Sequence, residues 1–262
     1  MMCILLLNIF SYIPPYILFV CLAFLISSIF LVILMYRDNI ININLPKYII
    51  VTIVSIYVGA ILFSILSSLI DDIINNSSKN VLLILFSGNY GLVYYGGLFG
   101  LLLSTYIFVE RKILSNKVYN NLALIIPLFH SISRVGCYFA GCCYGMQNKY
   151  LYQLPHFING FFNGEYRVPT QLYESIFEAL LLILISLLYY FINKNLISNK
   201  VKDLNLLTVY LFFYANFRFF IEFLRGDKIR GIYFGLSFSQ YISIVLLLFI
   251  IFSKLIFRRK KV

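Results

Sequence analysis

The chain has 262 residues, 61% of them hydrophobic and only 12% charged, with a mean hydropathy of +0.90. A soluble core of this size cannot bury that much apolar side chain, which excludes an ordinary globular domain and makes lipid the surrounding solvent. A formal charge of +11 would suggest a nucleic-acid partner in a soluble protein, but the basic residues fall mostly in short loops and in the tail Arg258-Arg-Lys-Lys261. That distribution is one of topology signals beside an anionic leaflet, so no nucleic acid is expected.

Apolar runs of about 20 residues recur without the in/out alternation of an outer-membrane barrel, and backbone groups in lipid must then be satisfied within helices. The expectation is an all-α polytopic membrane protein, a single integral membrane domain over 1–262 with no soluble domain attached. Residues 1–10 are apolar, but no Lys or Arg precedes the apolar run, so no cleavable signal is expected. Leu-Phe-Val-Cys21 faintly resembles a lipobox, yet it sits inside a long apolar run, and Cys3 and Cys21 read as small apolar side chains.

Seven spans follow in chain order: 16–36, 45–70, 81–109, 119–133, 169–192, 204–224 and 233–257. The fourth is short and ends at the motif His130–Gly145, and a long connection, 136–168, follows it. Loops after the odd-numbered spans carry 13 basic residues, from Arg37 and Lys47 through Arg111, Lys112, Lys117, Lys194, Lys200 and Lys202 to Lys254 and the tail. The opposite side carries six: Lys79, Lys149, Arg167, Arg225, Lys228 and Arg230. The bias puts the C-terminus in the cytoplasm and the N-terminus outside. The long connection and the loop 225–230 are then extracytoplasmic.

Charges inside spans carry the chemistry. Arg218, Glu222 and Arg225 stand at i, i+4 and i+7, one face of a helix, and Asp227, Lys228 and Arg230 continue the polar stripe. An arginine at mid-span costs roughly 2.5–3.5 kcal/mol on insertion scales, so such a pair is either functional or a bridge that neutralises itself. The fifth span opens with Pro169-Thr-Gln-Leu-Tyr-Glu174, and Gln171, Glu174 and Glu178 share a face. Glu174 is either solvated at the interface or part of a network with Arg134, Arg218 and Glu222 that builds a polar cavity. Gly91, Gly96, Gly97 and Gly100 in the third span allow close helix approach, or open space for a lipid or an anion. Cys137, Cys142 and Cys143 have the spacing C-x4-C-C, which matches no usual zinc pattern even with His130 or His156 added. No metal is assigned to them. A disulfide or a reactive thiol, and plain small-residue packing, stand as their other readings.

Four blocks carry a family resemblance. Arg134-Val-Gly-Cys-Tyr-Phe-Ala-Gly-Cys-Cys-Tyr-Gly145 resembles the signature of the prolipoprotein diacylglyceryl transferases, Arg-hydrophobic-Gly-Asn-Phe-x-Asn-Gly-Glu-x-x-Gly. Tyr94-Tyr-Gly-Gly-Leu-Phe-Gly100 is similar to the family's His-Gly-Gly-Leu-Ile-Gly, and Pro169-Thr-Gln-Leu-Tyr-Glu174 to its Pro-Ser-Gln-Leu-Tyr-Glu. Tyr214–Glu222 with the later Gly235-Leu-Ser-Phe-Ser-Gln240 resembles its Tyr-x-x-x-Arg-Phe-x-x-Glu block and the Ser-x-x-Gln after it. The blocks keep the family's order from the third span to the end, and the family's topology is also seven spans with the N-terminus outside.

The resemblance implies transfer of diacylglyceryl from phosphatidylglycerol to the lipobox cysteine of a preprolipoprotein signal peptide, with glycerol 1-phosphate released, in a bacterial cytoplasmic (inner) membrane. No cofactor is implied; the partners are phosphatidylglycerol, the signal peptides and membrane lipids. It places Arg134 on the lipid headgroup, Arg218 and Glu222 on substrate orientation and the leaving phosphate, and Tyr214 in support of them. Gly96, Gly97, Gly136, Gln171 and Arg225 complete the candidate substrate-binding set. The sequence departs from the pattern at three positions: Tyr95 replaces the family's histidine, Cys137 its asparagine and Cys142 its glutamate. Tyrosine, with an ordinary pKa of about 10, is a poor base for a thiol. Proton removal then falls to Glu174 or Glu222, or the chain has turned to related thiol, metal or non-catalytic lipid-binding chemistry.

Overall fold

Among the described residues the chain forms seven α-helices and three two-stranded β pairings. The computed structural model describes residues 14–40, 45–75, 94–108, 112–152, 156–158, 161–163, 166–194, 196, 205–226 and 232–259. Expectations for residues 1–10, for 76–80, for Gly91 and for Asp227, Lys228 and Arg230 fall outside them.

Helix α1 (Pro15–Arg37) starts with a proline in its first turn, where an absent N–H breaks no helical bond. It stops at Asp38, and Asn39 then takes a left-handed φ of 56°. Helix α2 (Leu45–Asn75) packs along α3 (Tyr94–Phe108), α1 packs along α4 (Lys112–Ala140), and α4 also packs along α5 (Thr170–Asn193). Helix α6 (Leu206–Ile221) is capped by Asn205, whose side chain accepts from the N–H groups of Leu207 and Thr208 at 2.9 and 3.3 Å. It tightens into a 3-10 turn at Glu222–Leu224 and packs against α7 (Phe238–Arg259).

Pro15–Arg37, Pro46–Ile70, Asn116–Ala140, Thr170–Asn193 and Leu206–Leu224 are long and apolar enough to cross a membrane. Helix α3 and the segment Phe238–Ser253 are shorter apolar helices. Each predicted span overlaps one of the seven helices described, and the chain is a multi-pass, all-α membrane protein with small β hairpins on its connections.

Helix α4 is the centre. Its apolar stretch is 67% buried against 17% for those of α1, α2 and α5. That position accounts for its composition: a helix mostly covered by protein can carry Asn121, His130, Ser133 and Arg134 on its buried side, whereas α1 and α5 expose Leu25, Ile29, Ile33, Leu180, Ile183 and Leu187 as a lipid-facing surface must. The core fills with Leu122–Ile126 of α4, Leu181 and Ile185 of α5, Tyr210 and Tyr214 of α6, and Leu31 and Leu34 of α1.

The fourth span differs from expectation. It runs to Ala140 instead of ending near Ser133, so Arg134, Gly136 and Cys137 lie on the helix and not in an exit turn. The residue that ends it is Gly141, with φ 64°. The N–H groups of Gly141 and Cys142 bond the carbonyls of Tyr138 and Cys137, both at 3.1 Å, which is a Schellman closure. Gly136 serves packing: a Cβ there would stand 2.5 Å from Cβ of Phe19 on α1.

The long connection holds two hairpin pairings, β1 (Gln147–Tyr152) with β4 (Tyr166–Arg167) and β2 (His156–Ile158) with β3 (Phe161–Asn163), both antiparallel. The seventh span is also shorter than expected at its start, because β5 (Ile232–Tyr233) and β6 (Leu236–Ser237) form a hairpin before α7 begins. Gly235, with φ 83°, makes that turn.

Candidate active site

Three helices present polar stripes with helical spacing, and the stripes meet. Helix α4 brings His130, Arg134 and Cys137; α5 brings Gln171, Glu174 and Glu178; α6 and its terminal turn bring Tyr210, Tyr214, Arg218 and Glu222. All ten side chains are buried.

Glu174 is the junction. One carboxylate oxygen lies 2.5 Å from Nε of Arg134 and the other accepts from Nη1 of Arg218 at 2.9 Å. Arg218 reaches Glu222 through Nη2 at 2.8 Å and donates to Oγ of Ser239 at 3.3 Å. Arg225 stands 4.0 Å from the same Glu222 oxygen. The structure therefore brings Arg134, Glu174, Arg218 and Glu222 into one chain of ion pairs across three helices. Taking such charges out of water costs several kcal/mol per ion, and only close, hydrogen-bonded partners offset that cost. Three arginines and two carboxylates meet here, and a third carboxylate, Glu178, joins them through His130.

The expectation for the network omitted its second layer. His130 shares a hydrogen bond between Nδ1 and Glu178 at 2.9 Å, and its Nε2 accepts from Nε of Arg134 at 3.0 Å. Tyr210 donates to the same Glu178 oxygen at 3.5 Å and pairs with the Tyr94 hydroxyl at 2.9 Å. The Tyr94 ring stacks on His130 with centroids 4.0 Å apart, and Tyr214 packs against both at 5.1 and 5.5 Å. His130 thus fixes the plane of the Arg134 guanidinium while Glu178 fixes His130. The signal was present in the sequence as His130 and Arg134 at i, i+4 and Glu174 and Glu178 at i, i+4, but which helix faces which is not a local property.

Tyr95 points its hydroxyl to Oγ of Ser243 on α7 at 2.6 Å, and its ring meets Tyr214 edge-on at 5.6 Å. Tyr214 Oη and Gln171 Oε1 are buried and have no hydrogen-bond partner among the described residues. A buried polar atom left unpaired costs about 1–3 kcal/mol, which a polar ligand would recover. Gln171 uses its Nε2 to hold the Cys142 carbonyl at 2.5 Å, and Thr170 Oγ1 donates to the Cys143 carbonyl at 2.8 Å.

Gly96 and Gly97, read either as packing positions or as substrate neighbours, lie against α2. A Cβ on Gly96 would meet the Gly59 carbonyl oxygen at 2.3 Å, one on Gly97 would meet Ile56 at 3.3 Å, and one on Gly100 would meet the Ser55 carbonyl oxygen at 2.0 Å. Close backbone approach accounts for all three.

The thiols converge. The sulfur atoms of Cys137, Cys142 and Cys143 all lie within 4.8 Å of one another, and Nη1 of Arg134 is 4.0 Å from the Cys137 sulfur. Gly141 and Cys143 both adopt left-handed φ, 64° and 58°, and this folds the loop back onto α4. For a non-glycine residue that conformation is uncommon and costs of order 1–3 kcal/mol. Hydrogen bonds from the Cys137 and Cys142 thiols, helped by Arg134 and Arg225, hold the Cys143 thiol well below its usual range, while its bonds to the same neighbours push Cys142 up. The loop is tied down beyond this point: Gly145 N–H bonds the Val168 carbonyl at 2.9 Å, Met146 N–H the Leu224 carbonyl at 2.8 Å and Gly226 N–H the Tyr144 carbonyl at 3.0 Å. Arg225 is carried on this strip, bridged to Gly145.

A family model described as prolipoprotein diacylglyceryl transferase matches residues 5–256. The chain is similar to a protein of Clostridium tetani named phosphatidylglycerol–prolipoprotein diacylglyceryl transferase, 36% identical over 171 residues that make up 62% of each chain. Proteins of the same name from Campylobacter hominis and Streptococcus pneumoniae are 33% and 34% identical over 168 and 165 residues. These two alignments cover 62% and 61% of this chain, and 55% and 59% of the relatives. The chain spans less than two thirds of the length of the curated relatives it matches.

Proposed function

Because the chain belongs to the prolipoprotein diacylglyceryl transferase family, we propose that it moves the diacylglyceryl group of phosphatidylglycerol onto the lipobox cysteine thiol of preprolipoproteins. The observation that carries this is the buried pair Arg134 and Arg218, joined through Glu174 and backed by Glu222 and Arg225. A phosphodiester headgroup needs such guanidinium donors, and they gain strength where water is excluded.

The chemistry follows from the charge. The acceptor sulfur attacks the glyceryl carbon that bears the phosphate oxygen, the C–O bond breaks, and glycerol 1-phosphate leaves with added negative charge. Arg134 and Arg218 are held ready for that charge: His130 and Glu174 orient the first, Glu174, Glu222 and Ser239 the second. Donors that need no reorganisation during the reaction lower its barrier most. Tyr214 Oη, buried with no hydrogen-bond partner among the described residues, supports a role as donor to a substrate oxygen. With the expected topology, seven spans and the N-terminus outside, this site faces the outer side of a bacterial cytoplasmic membrane, where signal peptides emerge.

The test is incubation of purified protein with phosphatidylglycerol vesicles and a lipobox peptide, followed by peptide mass. The expected result is a peptide heavier by one diacylglyceryl group, lost in Arg134→Ala. Headgroup binding without a mass gain would replace this function with a non-catalytic lipid-binding one.

A further inference from the structure

We infer that Cys137, Cys142 and Cys143 hold a thiophilic divalent cation as a three-thiolate site, and that its fourth position takes the acceptor cysteine of the peptide. This rests on the transferase function proposed above, and it answers a question that function leaves open: where the acceptor thiol loses its proton.

Each carboxylate of the ion-pair chain already has a guanidinium partner. Both oxygens of Glu174 are engaged by guanidinium groups, Glu222 is engaged by Arg218, and the Tyr95 hydroxyl is tied to Ser243. His130 has Glu178 on one nitrogen and Arg134 on the other. A thiol with an ordinary pKa of about 8.5 needs help at neutral pH, and coordination to a metal removes its proton outright.

The geometry of the three sulfurs fits a metal. Bonds of about 2.3 Å set at tetrahedral angles place sulfurs roughly 3.8 Å apart. The triangle here has no edge above 4.8 Å, so shifts of rotamer size close it. The spacing C-x4-C-C argued against a site because adjacent side chains ordinarily diverge. The left-handed residues Gly141 and Cys143 remove that objection by turning both loop sulfurs toward Cys137. Thr170 and Gln171 clamp the two cysteine carbonyls from α5 and so hold the loop in that shape.

Among the described residues no further His, Cys, Asp or Glu joins the three in a ligand group. Three protein ligands with an open position is the pattern of a catalytic zinc centre; structural centres close all four. Cys142 and Cys143 are only partly buried, which leaves the open side reachable. Arg134 lies 4.0 Å from the Cys137 sulfur and also belongs to the phosphate-binding pair, so the nucleophile would be delivered beside the leaving group. Three thiolates and a divalent cation carry one net negative charge, which the Arg134 guanidinium neighbours favourably.

The step balances without any oxidant. The acceptor thiol coordinates and gives its proton to water; the bound thiolate attacks the glyceryl carbon, forming S–C as the C–O bond breaks. The electron pair goes to the phosphate oxygen, glycerol 1-phosphate leaves, and the neutral thioether, a weak ligand, departs from the metal.

The experiment is stripping the full-length protein with a chelator and titrating it with zinc, reading metal content and thiol alkylation, with transfer assayed in parallel. The expected result is one zinc per chain, three thiols protected by it, and transfer that falls about 10²–10⁴-fold on stripping, as for loss of a base, and returns with zinc. Cobalt(II) in place of zinc should give a thiolate charge-transfer band that changes when lipobox peptide is added. Cys137→Ser and Cys143→Ser should lose zinc while their phosphatidylglycerol binding stays, which separates loss of metal from loss of fold. Zinc retained equally by the triple serine variant, full transfer by stripped protein, or two thiols recovered only by a reductant would each overturn the inference and leave the transferase function standing. Zinc held by the three cysteines with no transfer in any metal state would overturn that function and the acceptor role with it.

Discussion

Between α2 and α3 the backbones touch; between α4, α5 and α6 charged side chains do. At the first contact Gly59, Gly96 and Gly100 remove every atom that would hold the helices apart, and the gain is van der Waals contact between main chains. At the second, Arg134, Glu174 and Arg218 span the gap, and their cohesion depends on each charge keeping its partner. The first contact has no chemistry to offer a substrate and is tuned by size. The second is held by the same groups that would bind a phosphate, so stability and function are coupled there. A phosphate entering between Arg134 and Arg218 replaces part of what Glu174 supplies, whereas nothing replaces a glycine.

Substitutions that act on one contact and spare the other sharpen this comparison. The largest effect is expected for Glu174→Ala, which leaves two guanidiniums buried without their shared carboxylate; removing one member of such a pair costs about 3–5 kcal/mol. Thermal or denaturant unfolding in detergent should show it, and added phosphatidylglycerol should restore part of the loss. Arg218→Ala removes a donor to the leaving phosphate, and transfer should fall about 10²–10³-fold, equivalent to about 2.7–4 kcal/mol of barrier. A variant with unchanged rate would place the leaving group elsewhere. Gly100→Ala drives a methyl group into the Ser55 carbonyl and should cost about 1–3 kcal/mol of stability. The transfer rate of the protein that remains folded should be kept; a rate lost in proportion to Arg218→Ala would mean that the two contacts are not separable. The smallest effect is expected for Arg37→Ala at the other end of the bundle. That pair with Asp38 is exposed on the arginine side, at 3.2 Å, and surface pairs contribute about 0–1 kcal/mol.

What the chain order alone made readable was whatever repeats along a helix. Among the described residues apolar runs located seven helices, with the fifth running Thr170–Asn193 against an expected 169–192. The i, i+4 and i+7 spacing placed Arg218, Glu222 and Arg225 on one stripe, and a network with Arg134 and Glu174 was one of the two readings it offered for their charges. Such inferences hold because helical periodicity and the cost of an unpaired charge in lipid are the same in any surroundings. The folded molecule settled the remainder, and each case turned on contacts between residues distant in sequence. Gly136 looked like a helix end, but it lies within α4, where its missing Cβ lets Phe19 and Tyr16 of α1 come close. For Gly96 and Gly97 helix packing and a place beside substrate both stood as readings, and it is α2 that packs against them. His130 gained a place when Glu178 and Tyr94, from two other helices, closed around it. Cys137, Cys142 and Cys143 match no usual zinc spacing, and it is the left-handed turn, clamped from α5 by Thr170 and Gln171, that brings the three sulfurs together. A backbone angle of that kind is selected by the neighbours that stabilise it, and those neighbours assemble only when the helices do.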